Sequence, residues 1–314
     1  MKYNRRARLN TSEVRDVRRG GGSGGRTAAI GGGGAGVLGL VIYLIVSAVG
    51  GGSGAGNVAG QIAASVLGQL GQNGQPATAD NSEIEQNCKT GQDANTKLEC
   101  AVVADIDSIQ AFWAAELPKV FHQDYVPIPT VWFSGQVSTG CGPADSGAGP
   151  FYCPADNRVY IDLSFYDDIK SEFHATGGLF VDAYVLAHEY GHHVQDLLGT
   201  EAKVQTRQGA TSDSVRLELQ ADCYAGVWAN HASTTPTESG KPLITDVTQD
   251  DIASALDTAS RIGDDYIQTK LGGGQVNSSQ FTHGTSAQRK KWFTTGFQTG
   301  EPARCDTFGT NNLG

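Results

Sequence analysis

The run Ala187-His-Glu-Tyr-Gly-His-His-Val-Gln195 holds residue types whose spacing suits hydrolytic chemistry. His188 and His192 lie four apart, so on a helix they project from one face and can grip a single zinc ion. Glu189 then falls beside the metal's open position, where a carboxylate can take a proton from water and pass it to a leaving amine. His193 points about 100° further round a helix, which makes it structural or supporting rather than a fourth ligand.

Two histidines need a third ligand. Glu218 follows His192 by 26 residues and stands four before Asp222, in Arg216-Leu-Glu-Leu-Gln-Ala-Asp222. In isolation such a pair of acids reads as a solvated helix face. After H-E-x-x-H it reads as a division of labour: Glu218 completes a His-His-Glu site with the fourth position left to water, and Asp222 fixes the tautomer of a ligand histidine. The three-histidine pattern H-E-x-x-H-x-x-G-x-x-H is excluded, because Gln195 and Leu198 stand where its glycine and last histidine belong. One Zn2+ per chain is expected. Two imidazoles and one carboxylate leave it enough charge to bring the pKa of water to about 7 and to polarise a carbonyl.

The segments 188–198 and 216–230, together with Phe281-Thr-His-Gly-Thr-Ser-Ala-Gln-Arg289, resemble the neutral zinc metallopeptidase family over residues 85–310. A looser likeness extends to the CAAX prenyl proteases and bacterial heat-shock membrane peptidases, which have a proline after the late histidine where this chain has Gly284. The chemistry calls for a donor to a developing oxyanion, and either His283 or Arg289 suits that role, as the resemblance also implies. His283 is the candidate catalytic donor. Arg289 is placed with Asp222 as support, which is also what a buried pairing role would look like. Histidines 122, 174 and 231 have no paired spacing and read as ordinary surface or packing residues, and Tyr190 and Tyr224 as packing aromatics.

The elements that must position these groups are partly visible. Apolar residues at spacings of three and four from Leu179 to Leu198 predict a helix around H-E-x-x-H, with Gly199 as its stop. Segment 212–226 predicts a second helix facing it across the metal, and 101–121, 250–270 and 286–297 predict three more. Residues 130–133 and 158–161 read as short strands. By analogy with other zinc peptidases, 159–162 is the expected edge strand along the cleft, where an extended substrate could pair. The expected fold is α+β, a zincin-like metallopeptidase domain at 81–314, mostly helical with a small sheet.

The first 80 residues look different. Residues 1–26 carry eight Lys or Arg against Glu13 and Asp16, a net of +6, which leaves −16 on the rest of a chain whose total is −10. Residues 28–49 are uncharged, and a helix of that length spans about 33 Å. These patterns predict a basic cytoplasmic tail (1–26), one transmembrane signal anchor (27–50), a Gly/Gln/Ala-rich linker (51–80) with a weak amphipathic stretch at 58–70, and an extracytoplasmic catalytic domain on a single-pass membrane protein. A cleaved signal peptide and a basic nucleic-acid-binding arm are the weaker alternatives. The acidic domain makes nucleic acid an unsuitable partner.

Six cysteines, Cys88, Cys100, Cys141, Cys153, Cys223 and Cys305, all follow the apolar stretch, and no C-x-x-C occurs. An even number in an extracytoplasmic segment fits three disulfides among fifteen possible pairings. Cys88–Cys100 and Cys141–Cys153 close short loops and are favoured, which leaves Cys223 with Cys305. The sequence thus points to a membrane-anchored zinc endopeptidase acting on extracytoplasmic proteins or peptides. The alternatives are a catalytically silent zinc-binding scaffold, disfavoured by Glu189, and a zinc amidase acting on a cell-wall component.

Overall fold

The computed structural model describes residues 1–19 and 78–314. Their larger helices are α1 (Leu98–Phe121), α2 (Leu179–Leu197), α3 (Asp213–His231), α4 (Gln249–Arg261) and α5 (Ser286–Thr299). The strands are β1 (Lys2–Tyr3), β2 (Val14–Asp16), β3 (Thr130–Phe133), β4 (Gln136–Thr139), β5 (Gly142–Asp145), β6 (Phe151–Cys153), β7 (Arg158–Asp162) and β8 (Ile244–Asp246). The class is α+β, as expected from sequence.

α2 is the central element: every residue from 180 to 195 is buried. A helix buried all round must find partners for the polar side chains it carries, and each of its three histidines is bonded through its ring nitrogens. It ends where expected, with Gly199 at φ +66 in the left-handed region that glycine adopts freely. α3 starts at Ser212, whose hydroxyl accepts from Val215 N. α3 and α5 approach at backbone distance because Gly226 and Gly296 have no side chains: a Cβ on either would run into the main chain of the other helix.

The expected helix over 250–270 is broken. α4 ends at Arg261, and a short turn Asp264–Tyr266 and a wider turn Ile267–Leu271 follow. Gly263 packs directly on the backbone of Ser286. The break aims Asp264 at the start of α5, where its Oδ2 accepts from the amides of Thr282, His283 and Gly284.

The main sheet has the order β2-β3-β7-β6, parallel between β2, β3 and β7 and antiparallel between β7 and β6. β7 is therefore interior, which corrects the expectation that 159–162 form the edge; the edge on the cleft side is β6. Each of its ends is marked by a proline, Pro150 and Pro154, residues that sheets tolerate only at edges and strand ends. The β4–β5 hairpin is tied to β6 by Cys141–Cys153 and encloses a second small core with Val131, Phe133, Phe151 and Tyr160.

The N-terminal segment needs a larger correction. Residues 1–19, expected as a separate cytoplasmic tail, pack into the same folded domain as 78–314. β2 extends the sheet beside β3, β1 pairs with β8, and Tyr3, Ala7 and Val14 are buried. Tyr3 Oη donates to Asp105 at 2.8 Å, and Asn10 N donates to Asp107 at 2.7 Å. Arg18 bonds Asp16 and Glu99 and lies over the Trp132 ring. The net charge hid this packing, because buried and exposed residues alternate: Val14 and Asp16 face inward and Arg15 outward. Nor can 1–19 and 81–314 lie on opposite sides of a bilayer about 30 Å thick while sharing a sheet. No helix among the described residues is long and apolar enough to cross a membrane. The apolar stretch at 28–49, the amphipathic stretch at 58–70 and the linker up to residue 77 fall outside the described residues.

All six cysteines are paired as expected, Cys88–Cys100, Cys141–Cys153 and Cys223–Cys305. Three disulfides in one domain fit an oxidising, extracytoplasmic compartment.

Candidate active site

α2 and α3 bring His188, His192 and Glu218 together. All three are buried, and their ligand atoms lie within 4.8 Å of one another. Glu218 Oε2 is 3.2 Å from His188 Nε2, and Glu218 Oε1 is 3.5 Å from His192 Nε2. The helices sit close enough for this because Gly191 on α2 packs on Ala221 of α3.

Both imidazoles have their outer nitrogen engaged. His188 Nδ1 is 2.9 Å from Asp222 Oδ1, and His192 Nδ1 is 2.8 Å from Gln195 Oε1. These bonds engage each Nδ1 and aim each Nε2 at Glu218, the donor set that suits zinc. Without a metal His188 Nε2 is hydrogen-bonded to Glu218, and although burial lowers the His188 imidazole, Asp222 and Glu218 outweigh it and raise it to about 10. Gln195 is itself anchored, donating to the carbonyl of Leu217 at 2.7 Å. Asp222 is saturated: Oδ1 accepts from Tyr184 Oη at 2.7 Å and Arg289 Nη2 at 2.8 Å, and Oδ2 accepts from Arg289 Nε at 2.7 Å. Burial by itself would raise the Asp222 carboxyl, but Arg289 and then His188 outweigh it and hold it down to about 2. Burial likewise opposes ionisation of Glu218, and His192 and His188 overcome it, keeping that carboxyl well below the usual range. Arg289 is paired with Asp222, so the charge on Glu218 is met by the imidazoles around it, and a cation held among the three ligand atoms would take over that role.

Glu189 sits beside the cluster. Its Oε2 accepts from Tyr152 N of β6 at 3.0 Å, its one hydrogen bond among the described residues, and burial pushes its carboxyl up to about 7. His283 comes from the loop before α5 and lines the same cleft. Its Nδ1 is 3.3 Å from Asp264 Oδ1. Burial would lower the His283 imidazole, but its bond to Asp264 reverses this and raises it above its ordinary value. The cleft encloses about 170 Å³, and apolar side chains including Phe151, Phe173, Val185 and Ile267 form much of its wall.

Of the residues singled out for the centre, His188, Glu189, His192, Glu218, His283 and Arg289 line one cleft, while Asp222 is buried behind it; Arg289 is committed to Asp222 and the carbonyl of Ile262. His193 faces away, with Nε2 2.8 Å from the carbonyl of Val126 and Nδ1 3.3 Å from Tyr152 Oη. His122 and His174 lie on the surface and His231 stacks on Phe112, while Tyr190 and Tyr224 are packed in the core. Four contributors escaped the sequence reading. Gln195 and Tyr184 lie three after His192 and four before His188, so helical spacing could have found them. Asp264 and the Tyr152 amide carry no such signal, since their partners lie far along the chain.

The buried His-His-Glu cluster, with an acid next to its first histidine, has the residue types and spacing of an H-E-x-x-H metal site. More specifically, the chain belongs to the family described as "Putative neutral zinc metallopeptidase", whose match covers residues 1–308. That span includes the N-terminal strands that the resemblance, at 85–310, had left out. The chain is 50% identical over 229 residues to uncharacterized protein Rv2575 of Mycobacterium tuberculosis, covering 72% of this chain and 76% of that one. It is 43% identical over 243 residues to uncharacterized protein YpfJ of Escherichia coli K12, covering 75% and 78%. No solved structure matches the chain.

Proposed function

We infer that this protein is a zinc-dependent endopeptidase of zincin-like build, which hydrolyses peptide bonds of extracytoplasmic proteins or peptides. It meets a membrane through the apolar stretch 28–49 from one side, a reading supported by Asp80 N donating to the carbonyl of Asp16, which holds the two described flanks together. The observation that carries the reading is the pairing of two histidines, each engaged at Nδ1, and Glu218 with Glu189 alongside. His188, His192 and Glu218 would hold the zinc. When bound, it supplies Lewis acidity, polarising the scissile carbonyl and acidifying water.

The protein's own groups do the rest. Glu189, lifted to about 7 by burial, accepts the proton of the attacking water and returns it to the leaving nitrogen. His283, held at Nδ1 by Asp264, presents Nε2–H to the oxygen on which negative charge develops. The apolar wall receives side chains on either side of the scissile bond and excludes water from it.

The test is cleavage of a diverse peptide library, read by mass spectrometry, with the full chain rather than 81–314, because truncation would strip a strand from the sheet. Cleavage by the zinc-loaded protein that is lost with chelator and in Glu189→Gln supports the reading. A folded, zinc-retaining protein that cleaves no peptide overturns it in favour of a scaffold or of an amidase for cell-wall amides.

A further inference from the structure

The edge of β6 that faces the cleft has no backbone donor to spare. Tyr152 stands opposite Val159 in the antiparallel β6–β7 ladder, and Val159 N donates away from β6, to the carbonyl of Pro129. The two residues are thus a non-hydrogen-bonded pair, whose N–H and C=O groups turn away from each other. The main-chain groups of Tyr152 face outward, and by the same period of two so do those of residues 150 and 154. Those residues are Pro150 and Pro154, which have no N–H. Next along, Gly149 N is used by the carbonyl of Ser146. The remaining donor, Tyr152 N–H, is bonded to Glu189.

Resting on the endopeptidase reading, we propose that substrates dock on β6 by donating main-chain N–H groups to its outward carbonyls, that of Tyr152 first, while Tyr152 N–H stays on Glu189 and positions it. An ordinary edge strand both donates and accepts; this one only accepts. Burial decides which partner keeps the Tyr152 amide. Glu189 has no other donor among the described residues, so releasing it would leave a buried acceptor unpaired. A substrate carbonyl therefore does not displace it. The substrate class is an extended peptide with a free N–H opposite Tyr152; proline or any N-alkylated residue is rejected there, and the carbonyl of the same residue is not read by β6.

The experiment uses the full-length, zinc-loaded protein and a peptide it cleaves. That peptide is remade with one N-methyl group at each position flanking the scissile bond, and the responsive position is repeated with an ester, which removes the N–H without adding bulk. One position should lose about tenfold or more in kcat/KM with either change. Tyr152→Pro, which places proline at the same outward parity as its two neighbours, is compared with Tyr152→Ala, which keeps the N–H and loses the same ring. Proline should lower kcat about tenfold below alanine at similar KM and zinc content. If no backbone change matters, or if proline and alanine have equal kcat, or if proline raises KM alone, the edge assignment is wrong while the peptidase reading stands. If Tyr152→Pro does not fold, the peptide series decides. If wild type cleaves no peptide, the peptidase reading fails and takes this proposal with it.

Discussion

Replacing Arg289 with methionine should destabilise the fold by about 3–5 kcal/mol, because it strands a buried carboxylate. Arg289 is 3% exposed and Asp222 0%, and the guanidinium makes two bonds to that carboxylate at 2.7 and 2.8 Å. Methionine fills much of the volume, so the loss is mainly electrostatic. Asp222 keeps His188 and Tyr184 as partners, which places the cost nearer the low end of the range. At about 2–4 °C per kcal/mol for a domain of this size, Tm should fall by roughly 6–20 °C. The assay is urea unfolding with chelator present, so that zinc binding does not add its own stabilisation. The double variant Arg289→Met with Asp222→Asn removes the stranded charge, and should cost less than the two single changes together by about 2 kcal/mol. A single variant within about 1 kcal/mol of wild type, or strict additivity in the double, would refute the reasoning.

Asp222→Asn and Gln195→Leu should each weaken zinc binding about 10–100-fold through loss of tautomer control, read by competition with a chromogenic chelator; unchanged affinity would mean the bonds to Nδ1 are incidental. Glu189→Gln should retain zinc, measured by elemental analysis, and lose about 10²–10⁴-fold in turnover. Burial raises the Glu13 carboxyl on the N-terminal arm from 4.5 to about 7. Its folded value lies above its unfolded one, so its contribution to stability is full below about pH 4.5 and is lost as pH rises through about 7. Wild type should therefore lose urea stability across that window relative to Glu13→Gln, and parallel curves would contradict it. Deleting residues 1–19 should lower Tm measurably, because it removes β2 from the sheet and leaves Asp105 and Asp107 without Tyr3 and Asn10.

Much of the centre was legible in the sequence because helices repeat every 3.6 residues. Residues four apart share a face, so His188 with His192, and Glu218 with Asp222, could be assigned jointly once each run was read as a helix. The same regularity located α1, α2, α3 and α5 to within a few residues. It overran at 250–270, where Gly263 yields to a tertiary contact with Ser286. The edge strand was misassigned because 158–161 has the longer apolar pattern. That pattern marks a strand buried on both sides, as interior β7 is, while the true edge is three residues between prolines.

What the sequence determined by itself is local: two helical faces carrying the acids and imidazoles, a glycine stop, and short-range cysteine pairs. What only the tertiary structure decided is every pairing between distant segments. Asp264 reaches His283, Tyr152 N–H reaches Glu189, and Arg289 is taken up by Asp222. Residues 1–19, which charge alone assigned to the far side of a membrane, add an edge strand to the sheet of the domain. The physical reason is common to all of these. Periodicity and charge count describe which side of an element is apolar, whereas the partner of a buried polar group or of a strand edge is fixed by which elements meet in the fold, and that depends on the whole chain at once.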